Sequence, residues 1–399
     1  MKKMIVAIMI FMLSVPAIST NEVINHSSIE KNDGNIFYVG GNGEGNYTSI
    51  QNAINNASNG DTIIVYPGVY NERIEVNKSL CITGKKDEKD GELPVIIYNG
   101  EIVVNISAKN CTLKYFRIIN LFPNNMTSYT LNILSDGNVI EGNVIEGGFI
   151  GISLFYSSRN ILKNNVVKKT GEEAISLDHS NHNTVESNRI IYNEWDGITL
   201  FASSNNIITK NEVKWNECGI TILAYSSNNE ISCNNASENT NYGITVQGAS
   251  NNKIIGNHVY RNKEWCGISI AASSNTISEN MIVANNWAGM DIEGRKNIIS
   301  KNVIKNSRIG LFLEGFGREC RKNMIVGNDF IGNERHAGFW FEEYLPPSNL
   351  FFHNYWEGWR APLPKPIFGT WSIVIPFHGD VDIPWFLFDF MPSLKPHKN

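Results

Sequence analysis

Hydrophobic and polar positions along this chain follow a pattern that returns about every 22 or 23 residues. In the stretch Asn183–Val213 two asparagines five residues apart, Asn183 and Asn188, are followed by a polar turn and then by Gly197-Ile-Thr-Leu. Apolar residues alternate with polar ones in short runs, which is the periodicity of a β-strand. A fixed step of this length over most of the chain predicts a repeat architecture.

Two landmarks define the repeat. The Asn pair occurs in ten copies: Asn138/Asn143, Asn160/Asn165, Asn183/Asn188, Asn206/Asn211, Asn229/Asn234, Asn252/Asn257, Asn275/Asn280, Asn297/Asn302, Asn323/Asn328 and Asn349/Asn354. The second landmark recurs in step: Gly151-Ile-Ser-Leu, Ala174-Ile-Ser-Leu, Gly197-Ile-Thr-Leu, Gly219-Ile-Thr-Ile, Gly243-Ile-Thr-Val, Gly267-Ile-Ser-Ile, Gly289-Met-Asp-Ile, Gly310-Leu-Phe-Leu and Gly338-Phe-Trp-Phe. Both landmarks therefore belong to one structural unit.

One such unit cannot bury its apolar side alone, so it must stack on copies of itself. Parallel stacking places Asn above Asn, and Asn also suits a turn because it tolerates left-handed backbone. The prediction is an all-β fold: a right-handed, single-stranded parallel β-helix, a pectin-lyase-like solenoid with about 22–23 residues per coil. A leucine-rich repeat has a similar period, but the chain lacks its Leu-x-x-Leu-x-Leu-x-x-Asn line.

The ends of the chain depart from the repeat. Residues 1–19 have the basic start, short apolar run and small-residue end of a signal peptide, with a retained membrane anchor as the alternative, and residues 20–35 form a polar leader. We expect the β-helix to span residues 36–345, with an N-terminal helical cap where Ile50, Ala53, Ile54 and Ala57 have helical spacing. Residues 346–399 are rich in Pro and Trp and predict an irregular C-terminal cap.

Composition narrows the partners and the location. The net charge is −5, from 34 basic and 39 acidic residues, and no basic run exceeds two residues, which makes nucleic acid an improbable partner. After residue 19 no apolar segment approaches the ~18 residues of a membrane span, so the mature chain should have none. We expect a secreted or cell-surface protein, and the oligomeric state stays open.

Carboxylates gather on one outward row. If Gly is counted as the first residue of each Gly-Ile-x-Leu strand, the third and fifth residues point outward. Asp291 and Glu293 then share a face, and Glu314 follows on the next coil. Glu342 follows on the one after if the longer loop before it does not shift the register. Like charges this close should raise a pKa or bind a cation such as Ca²⁺, and Asp291, Glu293 and Glu314 are the candidate catalytic residues. The alternative is a solvated acidic face neutralised by nearby arginines: Arg295, Arg308 and Arg318.

Aromatic residues are the second candidate feature. Rings exposed along such a face suit the apolar sides of sugars, with packing of the rings on one another as the alternative. The candidate binding residues are Phe155, Trp195, Phe201, Trp265, Trp287 and Trp340. A metal site at Asp178-His-Ser-Asn-His182 is a weaker candidate, against a solvated polar turn.

The repeat, the opening Tyr47-Thr-Ser-Ile-Gln and Gly60-Asp-Thr-Ile motifs and the closing Asn354-Tyr-Trp resemble NosD-type β-helix proteins. The resemblance implies the repeat of carbohydrate-binding and sugar-hydrolase domains, common among exported archaeal proteins. The family takes its name from a periplasmic accessory factor for copper assembly, yet this chain shows no Met/His-rich copper site. Polysaccharide lyases, polygalacturonases and mannuronan epimerases share the coil, but their Asp-Pro-His run and paired Asp-Asp step are not found here.

Together these features predict an exported β-helix that binds cell-surface or extracellular polysaccharide. Two alternatives stay open. The first is a polysaccharide-cleaving hydrolase or lyase that uses the outward carboxylates. The second is a NosD-type extracytoplasmic accessory or structural surface protein.

Overall fold

The computed structural model describes residues 34–122, 127–316, 320–342, 348–375 and 379–397. The predicted signal peptide at 1–19, and all but the last two residues of the predicted leader at 20–35, lie outside the described residues.

Each coil contributes three short strands, and equivalent strands of successive coils pair in parallel. In one coil these are Ile175–Asp178, Thr184–Glu186 and Arg189–Ile191. We call the three resulting stacks sheet A, sheet B and sheet C, in that order along the coil. The stack of 13 strands in sheet C confirms the predicted parallel β-helix, with about one strand per turn.

Sheet A consists of the strands Ile74–Val76, Ile102–Ile106, Tyr129–Ile133, Ile150–Phe155, Ile175–Asp178, Ile198–Phe201, Ile220–Ile222, Ile244–Gln247, Cys266–Ala271, Ala288–Ile292, Ile309–Phe316, Arg335–Glu342 and Lys365–Ile375. Sheet B consists of Ile36–Val39, Thr62–Val65, Cys81–Gly84, Thr112–Lys114, Val139–Glu141, Ile161–Lys163, Thr184–Glu186, Ile207–Thr209, Glu230–Ser232, Lys253–Ile255, Thr276–Ser278, Ile298–Ser300, Met324–Val326, Leu350–Phe352 and Gly379–Asp389. Sheet C consists of Val69–Asn71, Val95–Tyr98, Arg117–Asn120, Val144–Gly147, Val166–Lys168, Arg189–Ile191, Glu212–Lys214, Asn235–Ser237, His258–Tyr260, Met281–Val283, Val303–Lys305, Asp329–Ile331 and Tyr355–Trp356.

The corners between sheets share one backbone device. In the coil above, φ is 58° at His182, 56° at Ser187 and 58° at Tyr192, and each of these residues precedes a buried Asn. The left-handed conformation thus belongs to the residue before the buried Asn. That residue is itself an asparagine at Asn164, Asn205, Asn228 and Asn251, whereas the buried Asn that follows does not adopt the conformation. The Asn is needed for its amide rather than for its backbone.

Asn188 shows what the amide does. Its Oδ1 accepts hydrogen bonds from the backbone N–H and the side-chain Nδ2 of Asn165, at 2.9 and 3.0 Å, and its own Nδ2 donates to the Leu162 carbonyl at 2.8 Å. The Asn188 amide is therefore satisfied by its neighbouring coils, which locks the stacking register there. A third ladder, not singled out from the sequence, follows the third corner: Asn193, Asn216, Asn239, Asn262 and Asn285.

The N-terminal end is covered by the helix Ile50–Asn56, as the spacing predicts. Its buried side is Ile50, Ala53 and Ile54, and Ser49 caps its first turn. The Glu72 carboxylate accepts from the backbone N–H of Ile50 at 2.8 Å. The helix thus shields the apolar interior where no further coil can.

The C-terminal end is more regular than predicted. Instead of an irregular cap, strands Lys365–Ile375 and Gly379–Asp389 form a long antiparallel hairpin, and its first strand extends sheet A. Both prolines are compatible with these strands, although proline cannot donate a backbone hydrogen bond. Pro366 lies outside the stretch that pairs with the previous coil, and Pro384 lies in an edge strand. Asp389 ends one ladder, since its carboxylate accepts from Asn354 Nδ2 at 3.0 Å.

Candidate functional site

The outward side of sheet A has a recessed middle row. This row holds the third residues of the strands, and most of them are hydroxyls that are buried although they point away from the core: Ser153, Thr199, Thr221, Thr245 and Ser269. The Oγ1 atom of Thr245 has no hydrogen-bond partner among the described residues. We call this side, from strand Ile150–Phe155 to strand Arg335–Glu342, the sheet A face.

Three carboxylates meet on the sheet A face. Ile292 pairs with Leu313, which sets Glu293 beside Glu314, and Asp291 lies one row away on the same coil as Glu293. One oxygen from each of Asp291, Glu293 and Glu314 lies within 4.8 Å of the other two. The structure therefore brings together the carboxylates that the repeat register predicts to be neighbours, and we call them the carboxylate triad.

Asp291 is the buried member of the triad. Its side chain is 7% exposed, and none of the described residues gives its Oδ1 a hydrogen-bond partner. Burial, with the charges of Glu293 and Glu314, raises the pKa of Asp291 to about 8. Burial also raises the pKa of Glu314.

The structure describes two of the three predicted neutralising arginines. Neither Arg295 nor Arg308 forms an ion pair with Asp291 or Glu314, and Arg318 lies outside the described residues. Solvation is also limited, because Asp291 is buried and the two glutamates are half-buried. A plain solvated acidic surface therefore does not describe Asp291.

The expected position of Glu342 is wrong. Glu314 pairs with Trp340, and Glu342 pairs with Phe316, so the last long coil is offset by two residues from the motif alignment. The longer loop before this strand allows the slip, because a shift of two keeps every side chain on its own side of the sheet. Trp340, rather than Glu342, is the neighbour of the triad.

A second row of titratable groups was missed from the sequence. It holds the residues just before each Gly-Ile-x-Leu: Glu173, Asp196, Cys218, Tyr242 and Cys266. Burial raises the pKa of Asp196 and, with the charges of Glu172 and Asp196, that of Glu173 to about 7. Burial likewise raises the pKa of Tyr242 to about 12. Reading this row coil by coil in the sequence would have found it, as the same reading found the triad.

Aromatic rings flank the face in an N-terminal group. Phe155 and Phe201 are 43% and 40% exposed, and they occupy the same row with Asp178 between them. Tyr156 stacks on His179 with ring centroids 4.7 Å apart, and both connect the two phenylalanines. These rings form one continuous cluster.

A C-terminal aromatic group surrounds the triad. Trp265, which is 51% exposed, stacks on Tyr242 at 6.3 Å, and Trp287 packs edge-on against Phe312 at 5.4 Å. Phe312 is paired with Asp291, so these rings lie next to the carboxylates.

The predicted tryptophan ridge is not continuous. Trp195 is 55% exposed, but Glu217 and Asn241 occupy the two coils between it and Trp265. The rings thus form two separated groups rather than one ridge.

Two clusters of possible metal ligands were predicted from the sequence, the carboxylates of the triad and the group at Asp178, His179 and His182. Among the described residues, the triad is the one group of three possible ligands close enough to share an ion, and the cluster at Asp178, His179 and His182 does not qualify. Carboxylate oxygens suit hard cations, whereas copper favours imidazole and sulfur donors. The described residues therefore do not fit the copper site that the resemblance suggests.

Solved structures of other proteins share the coil. The A-module of mannuronan C-5 epimerase AlgE6 from Azotobacter vinelandii has 14% identity and a TM-score of 0.56, over 75% of this chain and 91% of that chain. The receptor-binding protein of bacteriophage Det7, a podoviral tailspike in a myovirus, has 11% identity and a TM-score of 0.61, over 91% of this chain and 87% of that chain. At these identities the similarity shows the fold alone.

Comparison with curated proteins finds no match. None of the described residues forms a helix with the length and apolar character that a membrane span requires. One family model matches most of the repeat region, over residues 54–241 and 223–357, and its description is periplasmic copper-binding protein (NosD). Because these matches span more than half of the sequence, the chain belongs to the NosD family.

Proposed function

We propose that this protein works outside the cytoplasm and binds a polysaccharide along the sheet A face. The observation that carries the proposal is the recessed row of hydroxyls and carboxyls between two groups of exposed rings. Sugar rings combine polar edges with apolar faces, so they need hydrogen-bonding groups and aromatic surfaces together.

The spacing of the aromatic groups favours an extended ligand. From the coil of Phe201 to the coil of Trp265 the chain makes three steps along sheet A. At a strand spacing of ~4.8 Å these steps cover ~14 Å, which is longer than one sugar ring. A linked chain of sugars could contact both groups at once, whereas a monosaccharide could not.

The comparisons support a polysaccharide-related role in outline. One structural neighbour is named as a mannuronan epimerase and another as a phage receptor-binding protein, and the family is described as periplasmic. At this level of identity they leave the sugar, and the step performed on it, to be tested.

The test is retention of the full chain on an array of immobilised acidic and neutral polysaccharides. We expect Trp265→Ala and Phe201→Ala each to weaken retention about tenfold, equivalent to ~1.4 kcal/mol. Tyr260→Ala is the matched control, because Tyr260 lies on the outer side of sheet C and packs at a tilt against His258. Failure of every polysaccharide to bind, or an equal loss in the control, would contradict the proposal.

A second candidate function is cleavage of the bound polysaccharide at the triad, as a hydrolase or a lyase. The specific observation is the spacing of the carboxylate oxygens, within 4.8 Å, because retaining glycosidases place two carboxyl groups ~5 Å apart. The measurement is the appearance of new reducing or unsaturated ends after incubation with the retained polysaccharide. If Glu314→Gln forms new chain ends as fast as the wild type, the triad is excluded as the cleavage site.

A further inference from the structure

We propose that Asp291, Glu293 and Glu314 together bind one Ca²⁺ ion on the sheet A face. The geometry is the first argument. Ca²⁺ binds oxygen at ~2.3–2.6 Å, so two oxygens on one ion are at most ~5 Å apart. The triad oxygens satisfy this limit, since all three lie within 4.8 Å of one another without any rearrangement.

Asp291 supplies the second and independent argument. Its side chain is more than nine-tenths buried, and its Oδ1 is enclosed with no hydrogen-bond donor from the part of the chain that the structure describes. Buried polar atoms almost always have a partner, so each exception requires an explanation. Strand pairing holds Asp291 in this position, between Ser269 on one coil and Phe312 on the next. A cation bound by the triad would provide the missing partner.

The donor set favours calcium over other metals. All three ligands are carboxylates, which prefer hard cations, and Mg²⁺ demands a tighter octahedral arrangement at ~2.0–2.1 Å. Ca²⁺ takes ~6–8 oxygens, so three carboxylates leave positions open. Glu293 and Glu314 are only half-buried, which leaves the open side of the ion toward solvent. Water or oxygens of a bound sugar can fill those positions.

Binding of the ion alone can be measured on the full chain after removal of metals with a chelator. Calorimetric titration with CaCl₂ should give one site per chain. Tb³⁺ should give luminescence sensitised by Trp287, because this ring packs against Phe312, the strand partner of Asp291. Trp287→Phe should lower the Tb³⁺ signal and leave the Ca²⁺ affinity unchanged.

Two conservative variants locate the site. We expect Asp291→Asn and Glu314→Gln each to weaken Ca²⁺ binding at least tenfold. Glu217→Gln is the control, because Glu217 lies on the same face but bonds Asn241 Nδ2 at 2.8 Å, away from the triad. The melting temperature of each variant, measured in chelator, shows whether the variant folds. If Asp291→Asn does not fold, the Ca²⁺ affinity of Glu314→Gln tests the site.

Several results would overturn the proposal. They are absence of Ca²⁺ binding at millimolar concentration, equal affinity in the folded triad variants, or an equal loss in Glu217→Gln. Tighter binding of Cu²⁺ than of Ca²⁺, lost in the same variants, would also reject calcium as the ion. Because no polysaccharide is present in these titrations, their outcome is independent of the function proposed above.

Discussion

The outer sides of sheet A and sheet C come from the same coils but treat acidic residues in opposite ways. On sheet C, the Glu146 carboxylate accepts from Arg117 Nε at 2.8 Å and lies 3.5 Å from Lys168 Nζ. On sheet A, neither Glu173 nor Asp196 has an ion pair with a described Lys or Arg. Sheet C neutralises Glu146 across the strands, whereas Glu173 and Asp196 on sheet A have no such basic partner among the described residues.

The pKa values express the same contrast. Burial alone would raise the pKa of Glu146, but the hydrogen bond and charge of Arg117, with the charge of Lys168, hold it below its usual range. The pKa of Glu173 is raised to about 7, because no basic group compensates the burial of its carboxylate. Cross-strand pairs on sheet C thus stabilise the stack, whereas the acids of sheet A reduce stability. Groups that act against stability in a recessed surface are candidates for function.

The largest expected effect is on sheet C. Glu146→Gln should lower the free energy of unfolding by about 2–3 kcal/mol, because a buried carboxylate that pairs with basic groups is lost. Urea or thermal unfolding at pH 7 measures this change. Glu172→Gln is the control on sheet A, where the half-buried carboxylate has a raised pKa and no described ion pair. A comparable loss in the control would remove the contrast between the two faces.

The next effect has the opposite sign and depends on pH. The folded chain keeps the Glu173 proton up to a pKa of about 7, while the unfolded chain loses it near ~4.3. This contribution to stability is therefore complete below pH ~4.3 and is lost as the pH rises to about 7. Glu173→Gln should melt higher than the wild type at pH 8 and equally at pH 4. Parallel melting curves for the two proteins across this range would contradict the assignment.

Glu146 should respond in the reverse direction. Its pKa is lowered in the folded chain, so its contribution is present above the unfolded pKa of ~4.3 and is lost as the pH falls through the folded value. Below pH 4, the decrease of the melting temperature with falling pH should therefore be smaller in Glu146→Gln than in the wild type. It should be unchanged in Glu173→Gln.

The smallest effect concerns an exposed ion pair on sheet C. It tests whether an ion pair must be buried to contribute to the free energy of unfolding. Arg189 Nε lies 3.2 Å from the Glu212 carboxylate, and both side chains are exposed. Arg189→Met should cost no more than about 0.5 kcal/mol, since solvent screens such pairs. Arg117→Met should cost more, because its partner Glu146 is buried. Equal losses in low-salt thermal melting would reject burial as the cause.

The repeat made the coil predictable because each landmark recurs at a fixed step. Two of the three Asn ladders and the neighbours in the triad follow from that step. The third ladder was missed because Thr170 and Ser307 replace Asn at two of its positions, and it lies in a turn of varied composition. Its bonds become visible only when the coils are stacked.

In the last long coil the motif predicts the wrong strand register. Gly310-Leu-Phe-Leu and Gly338-Phe-Trp-Phe look equivalent, but Phe312 pairs with Gly338. The loop between the two strands is longer than in earlier coils, and alternation with a period of two accepts either register. The sequence could not choose between Trp340 and Glu342 as the neighbour of Glu314.

The sequence by itself determined the solenoid, its period, the helix at its N-terminal end and which side chains face outward, because these depend on local periodicity repeated many times. Only the tertiary structure decided how deeply outward groups are buried, and hence that Asp291 is enclosed while Glu293 and Glu314 remain half-buried. Burial depends on side chains from neighbouring coils and loops, which no single repeat encodes. The electrostatic character of the sheet A face is therefore a property of the stacked coils.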